Sequence, residues 1–117
     1  MVYAFIIYIL SHIAFMPVTG TYYYSGTVTA SGLAYTQEQS ESHLFLATSQ
    51  DIPMWRKANI GIQDVVLLIG PSLWCGLKFN KDRMPNQWHH RVDIRVEKGY
   101  KGQGKCQAGL FYWKNKK

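Results

Sequence analysis

The chain has 117 residues, of which 47% are hydrophobic and 15% aromatic. That length allows one domain with one modest core, and the composition excludes an intrinsically disordered chain. The net charge is +6, but all thirteen basic residues lie at or after Arg56 and residues 51–117 contain five of the seven acidic ones, so that region carries +8. A region this basic attracts polyanions such as nucleic acid, anionic lipid or a cell-wall polymer, without choosing among them.

The chain begins with an apolar run, from Val2 to Val18, that is interrupted only by Ser11 and His12. Its length suits the core of a signal peptide and is marginal for a membrane-spanning helix, which needs about 20 apolar residues. No Lys or Arg precedes the run, so a buried first element is the alternative. We expect residues 1–20 to be a signal peptide or membrane anchor, and residues 21–117 to be a domain exported to the periplasm or cell envelope.

Short segments rich in Thr, Val, Ile and aromatic residues follow, and turn signals separate them. We predict a polar loop at residues 37–42 and strands within residues 21–36, 44–49, 62–70, 73–79, 90–96 and 108–113. The pattern has no repeat and no long helical periodicity after the N-terminus. It therefore predicts a single all-β domain, a small barrel.

Residues 90–96, HRVDIRV, alternate between apolar and charged side chains. This alternation places Asp93 on the polar face, about 7 Å from each of Arg91 and Arg95. Arginines lower the pKa of a carboxyl group, whereas burial and a second carboxylate raise it. Asp82, at the mouth of the preceding loop, is the candidate second carboxylate. The alternative is an ordinary exposed ladder of charges.

Three polar features nearby are less specific. Asp51 ends a strand, and we expect it to accept hydrogen bonds from backbone N–H groups in the following turn. His89 and His90 are adjacent, so on a strand they face opposite sides and cannot bind one metal together. We expect neither a metal nor a cofactor. Trp88, flanked by polar residues, should be exposed.

Residues 99–106, GYKGQGKC, nearly match a phosphate-binding P-loop. Cys106 stands where the P-loop requires Ser or Thr to hold Mg²⁺, so we expect a flexible basic loop instead. In an exported protein an even pair of cysteines is most simply a disulfide. We therefore expect Cys75 to pair with Cys106, with two buried thiols as the alternative.

Four segments, VTASGLAYT, LATSQDIP, NKDRMPNQWHHRVDI and AGLFYW, occur in an order that resembles one family. They are similar to the three-aspartate (3D) domain of membrane-bound lytic transglycosylase A and related cell-wall lytic proteins. The three aspartates of the pattern fall on Asp51, Asp82 and Asp93. The resemblance spans roughly residues 26–113, and Arg83 and Arg91 also agree with it.

The resemblance implies a six-stranded double-psi β-barrel that cleaves the β-1,4 bond between N-acetylmuramic acid and N-acetylglucosamine and forms a 1,6-anhydro ring. It implies that Asp93 is the acid/base, that Asp82 raises its pKa or stabilises positive charge, and that Asp51 holds the groove wall. The partner would be the peptidoglycan glycan strand, with a membrane tether through residues 1–20 and no nucleic acid. We expect the groups that contact the glycan to be Tyr35, Arg83, Trp88 and Arg91.

Two departures from the family pattern matter. Trp55 occupies a position where the family has glycine, and the segment after Asp93 is short and Gly-rich. Three other functions stay open: a glycosidase of the same fold that uses water, a non-catalytic wall- or glycan-binding barrel, and a basic nucleic-acid-binding barrel if the first twenty residues are core.

Overall fold

A computed structural model describes residues 2–24, 34–52, 64–85 and 87–113. Six strands close into a barrel, in the order β1-β5-β2-β4-β3-β6, so the prediction of a small all-β barrel is confirmed. The strands are β1 (Ile13–Tyr23), β2 (Phe45–Thr48), β3 (Val65–Ile69), β4 (Gly76–Arg83), β5 (Arg91–Arg95) and β6 (Cys106–Trp113). Two α-helices, α1 (Val2–Ser11) and α2 (Gln37–Ser42), and a 3-10 helix, Ser72–Trp74, complete the described elements.

The strand pairing repeats between the two halves of the chain. β1 is parallel to β5 and β2 is parallel to β4, whereas the other neighbouring strands are antiparallel. Exchanging β1 with β4, β2 with β5 and β3 with β6 leaves the strand order and every pairing direction unchanged. The barrel therefore has an internal two-fold relation at the level of topology, and its two parallel pairs lie side by side as β1-β5-β2-β4.

The barrel interior is filled by alternate side chains of the strands. In β5 the predicted alternation is confirmed, because Val92 and Ile94 are fully buried while the charged residues between them are half-exposed. Trp74 packs at one end of this core, where its indole Nε1 donates a 3.0 Å hydrogen bond to the carbonyl of Thr21. The core side chains include Val18, Leu46, Val66, Leu68, Trp74, Val92, Ile94 and Leu110.

The N-terminal boundary differs from the expected one. Residue 20 lies inside β1, which begins at Ile13, pairs with both β5 and β6, and buries Val18 in the core. A barrel strand and the end of a signal-peptide core are both apolar runs, so composition alone could not separate them. Only residues 2–11 form a separate element, the helix α1. Among the described residues, no helix is long and apolar enough to cross a membrane.

Two further local predictions were wrong. Residues 37–42, predicted as a loop, form helix α2, because the hydroxyl of Thr36 accepts a hydrogen bond from the N–H of Gln39 while the Gln39 side chain accepts one from the N–H of Thr36. This capping box starts the helix. β4 continues to Arg83, so Asp82 lies in a strand and not at the mouth of a loop.

Cys75 and Cys106 are free thiols, which contradicts the predicted disulfide. Cys75 directly precedes β4 and Cys106 begins β6, and β3 lies between these two strands. Two strand spacings amount to roughly 8–10 Å, beyond the approximately 7 Å that a disulfide spans between Cα atoms. The Gly- and Lys-rich loop expected before β6 is confirmed as an exposed loop over residues 101–105.

The packing of Trp74 predicts that Gly20→Ala destabilises the barrel. A Cβ atom at Gly20 would lie 2.5 Å from Cδ1 of the fully buried Trp74, so the indole would have to move away from the carbonyl of Thr21. We expect a loss of about 1–3 kcal/mol in the free energy of unfolding, measured by urea denaturation.

Gly109→Ala is the matched control. Its Cβ would meet Phe15 at 2.6 Å, but that ring is half-exposed and can rotate into solvent. Equal losses for the two variants would show that the fit against Trp74 does not set the stability of this end of the barrel.

Candidate active site

Asp82 and Asp93 flank the same residue of β2. Ala47 pairs with Asp93 of β5 on one side and with Asp82 of β4 on the other. The two backbones are therefore two strand spacings apart, about 10 Å. Across this separation the charge of Asp82 contributes to raising the pKa of Asp93.

A β-bulge brings Asp82 to this position. Leu46 pairs with Asn80, but the next residue, Ala47, pairs with Asp82, so Lys81 is an extra residue in β4. Without the bulge Lys81 would oppose Ala47, and Asp82 would take the opposite side of the strand. Lys81 is instead fully buried.

Buried polar groups hold the extra residue in place. The Nζ of Lys81 lies 3.2 Å from Oδ2 of Asp64, which is also buried. In the preceding position the carbonyl oxygen of the Asn80 side chain accepts a 3.2 Å hydrogen bond from the hydroxyl of Thr48. Removing one partner of such a buried ion pair is strongly destabilising. The pair therefore favours the register that turns Asp82 to the site.

Asp93 is in an environment that favours the protonated acid. Burial is the largest influence and raises its pKa, and the nearby charge of Asp82 raises it further. Two contacts act in the opposite direction: the hydroxyl of Thr21 donates a 2.7 Å hydrogen bond to Oδ1, and the guanidinium of Arg91 is close. The net direction is upward from the ordinary value near 3.8.

Asp82 lies beside a pair of tyrosines. The hydroxyl of Tyr23 is 3.5 Å from Oδ2 of Asp82 and 2.9 Å from the hydroxyl of Tyr35, while the N–H of Arg83 donates a 2.8 Å hydrogen bond to Oδ1. Burial raises the pKa of Tyr35 to about 12, and burial together with Tyr35 raises that of Tyr23 still further. Both phenols are therefore neutral hydrogen-bonding groups near neutral pH.

The two arginines of β5 are held by aromatic rings. The guanidinium of Arg91 lies 4.0 Å from the ring centroid of Trp88, and its Nε donates to the hydroxyl of Thr21 at 3.2 Å. Arg95 lies 4.7 Å from the ring centroid of Tyr35, and its Nε donates to Ser40 of α2 at 3.2 Å. These contacts fix the positions of the two positive charges that flank Asp93 along β5.

Asp51 lies in a turn and binds the residue that precedes β5. Its two carboxylate oxygens accept hydrogen bonds from the N–H of His90 at 3.1 and 2.9 Å. His90 has a positive φ of 49°, and its carbonyl accepts a bond from the N–H of Thr19 at 2.8 Å. The expectation that Asp51 accepts backbone hydrogen bonds is confirmed. It holds the strained residue that leads into β5, a positioning role and not contact with reacting atoms.

The other expected contact residues are all at least partly exposed. Tyr35 is half-buried beside Asp82, and Trp88 is 37% exposed, as its polar flanks predicted. Arg83 is exposed at the end of β4, with its backbone N–H on Asp82. Trp55, the departure from the family pattern, lies outside the described residues, as do residues 28–33 of the first matching segment.

Sequence reasoning missed Thr21 and Tyr23. They alternate along β1 and pair with Asp93 and Arg95, so both reach the same outer face. Strand alternation within residues 21–24, TYYY, places Thr21 and Tyr23 on one face of β1. No sequence feature predicts that β1 and β5 are parallel neighbours, so the sequence does not indicate that this face lies beside Asp93. In the described parts of the chain, no three His, Cys, Asp or Glu side chains form a group that suits a metal ion.

In comparisons with known proteins, no family model, no curated protein and no solved structure matches this chain.

The position of Asp51 predicts a pH-dependent contribution to stability. Burial alone would raise its pKa, but hydrogen bonds from Ser49 and from the N–H of His90 outweigh burial and hold it below the ordinary 3.8. The stability that it confers is therefore complete above pH 3.8 and is lost as the pH falls through its lower folded-state value. We expect Asp51→Ala to lower the free energy of unfolding at pH 7 by about 1–2 kcal/mol.

Urea denaturation at pH 7 and below pH 3 measures this effect, with Asp51→Asn as the variant that keeps one acceptor oxygen. The Ala variant should approach the wild type at the acidic pH. A difference that does not change with pH would contradict the proposed role of the charged carboxylate.

Proposed function

We propose that this protein is a peptidoglycan lytic transglycosylase that cleaves the bond between N-acetylmuramic acid and N-acetylglucosamine. The observation that carries the proposal is the state of Asp93, a half-buried carboxyl group with a raised pKa and a second carboxylate, Asp82, on the far side of Ala47. A general acid must be protonated near its working pH, and burial with a neighbouring like charge favours this.

The proposed reaction uses one carboxyl group twice. Protonated Asp93 donates its proton to the glycosidic oxygen as the bond from that oxygen to C1 of the muramic acid breaks. The resulting carboxylate then accepts the proton of the C6 hydroxyl, whose oxygen bonds to C1 and closes the 1,6-anhydro ring. The proton balance is zero, Asp93 is regenerated in its acid form, and no water is consumed. Activity should therefore fall as the pH rises through the pKa of Asp93.

The groups around Asp93 suit the other parts of this reaction. The carboxylate of Asp82 would stabilise positive charge at the anomeric carbon, with Tyr23 positioning it from 3.5 Å. Thr21 fixes the orientation of the Asp93 carboxyl group through its 2.7 Å hydrogen bond. Trp88, exposed and stacked on Arg91, offers a flat apolar surface for a sugar ring. Arg83 and Tyr35 would contribute further contacts to the glycan.

Membership of the three-aspartate family and a double-psi topology are part of the proposal. The internal two-fold relation between residues 13–69 and 76–113, with its two central parallel strand pairs, supports a double-psi arrangement. The placement of Asp82 and Asp93 beside one strand supports the family. The positioning role of Asp51 supports it as well, because the first aspartate would hold the groove wall.

An exported location follows from the proposed substrate, which lies outside the cytoplasmic membrane. The basic second half of the chain suits a polymer that carries negative charge. We propose the periplasm or cell envelope as the location, with the N-terminal segment as a tether.

The direct test is mass spectrometry of the soluble products after incubation of the full chain with peptidoglycan sacculi. We expect anhydromuropeptides from the wild type and a rate at least about 100-fold lower from Asp93→Asn, because general acid–base catalysis contributes about 10²–10⁴-fold. The control is Glu97→Gln, which also removes one negative charge near the end of β5. The Glu97 carboxylate lies 2.8 Å from Nε2 of His43 and not beside Asp93 or Asp82, so this variant should keep its activity.

Each other outcome selects a different function. Hydrated reducing ends would replace the transglycosylase by a hydrolase of the same barrel. Wall binding without release, unchanged by Asp93→Asn, would replace it by a non-catalytic binding module. Equal activity of the wild type and Asp93→Asn would overturn the role of Asp93.

A further inference from the structure

Helix α1 presents apolar side chains in every direction. All seven residues from Val2 to Tyr8 are exposed. Successive residues of an α-helix are about 100° apart, so four in a row cover the whole circumference. Phe5, Ile6, Ile7 and Tyr8 are such a set, and each is at least 45% exposed. No face of this part of the helix is covered by the rest of the described chain. A helix that is apolar all round is typical of a membrane or of the core of a larger protein.

The barrel carries a second apolar surface next to this helix. A groove of about 460 Å³ lies between the outer faces of β1, β3, β4 and β6, where Phe15, Leu67, Leu77, Phe111 and Trp113 line it. Leu77 is 63% and Phe15 54% exposed. α1 ends at Ser11 and β1 starts at Ile13, which also lines the groove. Helix and groove are therefore neighbours along the chain, their apolar residues separated by Ser11 and His12, and together we call them the apolar end.

Positive charge follows Trp113 in the sequence. Trp113 is the register partner of Ile13, and the sequence continues with Lys114, Lys116 and Lys117. The helix itself contains no charged residue. Apolar insertion combined with a basic cluster is the pairing of signals that gives stable attachment to an anionic bilayer.

We propose that the apolar end is a binding surface for an anionic lipid bilayer. The ten residues of α1 extend about 15 Å, half of the roughly 30 Å hydrocarbon core, so the helix would enter a single leaflet. The exposed rings of the groove would lie at the level of the headgroups, and the positive charge that follows Trp113 in the sequence would add attraction to anionic lipid. The inference rests on the cell-envelope location proposed above but not on the proposed reaction.

Vesicle flotation of the full chain tests this surface without any peptidoglycan, so its result is independent of the result with sacculi. We expect the wild type to float with vesicles of phosphatidylcholine and phosphatidylglycerol, and to bind phosphatidylcholine alone at least about tenfold more weakly. Ile7→Asp should abolish flotation, and joint replacement of the three lysines by Gln should weaken it about tenfold to a hundredfold on the anionic vesicles only.

Two matched substitutions on β1 and its continuation separate the groove from exposed aromatics in general. Phe15→Ser removes a ring at the apolar end, whereas Tyr24→Ser removes one, 53% exposed, just beyond the other end of β1. Only Phe15→Ser should weaken flotation. Circular dichroism verifies folding, which Ile7→Asp should preserve because that side chain is 65% exposed.

Two outcomes would overturn the proposal. The first is a wild type that fails to float with anionic vesicles. The second is a lipid-independent dimer in sedimentation velocity that Ile7→Asp dissociates, with no flotation, which would make a second copy of the chain the occupant of the groove.

Discussion

The register between β2 and β4 is the constraint on which the candidate site depends. The bulge at Lys81 shifts the alternation of β4 by one residue, so that Asp82 and not Lys81 stands across Ala47 from Asp93. The side chain that the bulge turns inward is paired with Asp64 inside the protein. A slip back to regular pairing would bring a positive charge to the site and separate this buried pair, at a cost of several kcal/mol. The interior electrostatics of the barrel and the chemistry of its outer face are thereby coupled through one inserted residue.

The same arrangement explains how the pKa of a carboxyl group is raised in a chain of net charge +6. The two arginines beside Asp93 would be expected to stabilise its charged form. Arg91 stacks on Trp88 but still lowers the pKa of Asp93, whereas Arg95 contacts Tyr35 and Ser40. Burial and the charge of Asp82 then outweigh Arg91 and the hydrogen bond from Thr21. The contacts around Asp93 therefore determine the direction of its pKa shift. The net charge of the chain acts at longer range, on an anionic polymer or lipid surface.

The features that the sequence predicted correctly are those written in local patterns. The alternation of residues 90–96 predicted the buried and exposed faces of β5, and the polar flanks of Trp88 predicted its exposure. The capping box at Thr36 and Gln39 was an equally local signal for α2 that was overlooked. Features that depend on long-range pairing were not predictable: the bulge at Lys81, the meeting of β1 with β5, and the separation of Cys75 from Cys106 by β3. Composition also did not indicate that β1 begins within the apolar run at Ile13, because the same apolar residues suit an exported segment and a barrel strand.

The central claim is that burial and Asp82 together raise the pKa of Asp93, and NMR titration of the Asp93 side-chain carboxyl carbon tests it most directly. The wild type should titrate above the ordinary value of 3.8. Asp82→Asn removes a negative charge and should move the pKa of Asp93 down, whereas Thr21→Val removes a hydrogen bond to the carboxylate and should move it up. A wild-type pKa at or below the ordinary value, or shifts of the same sign in both variants, would contradict the account.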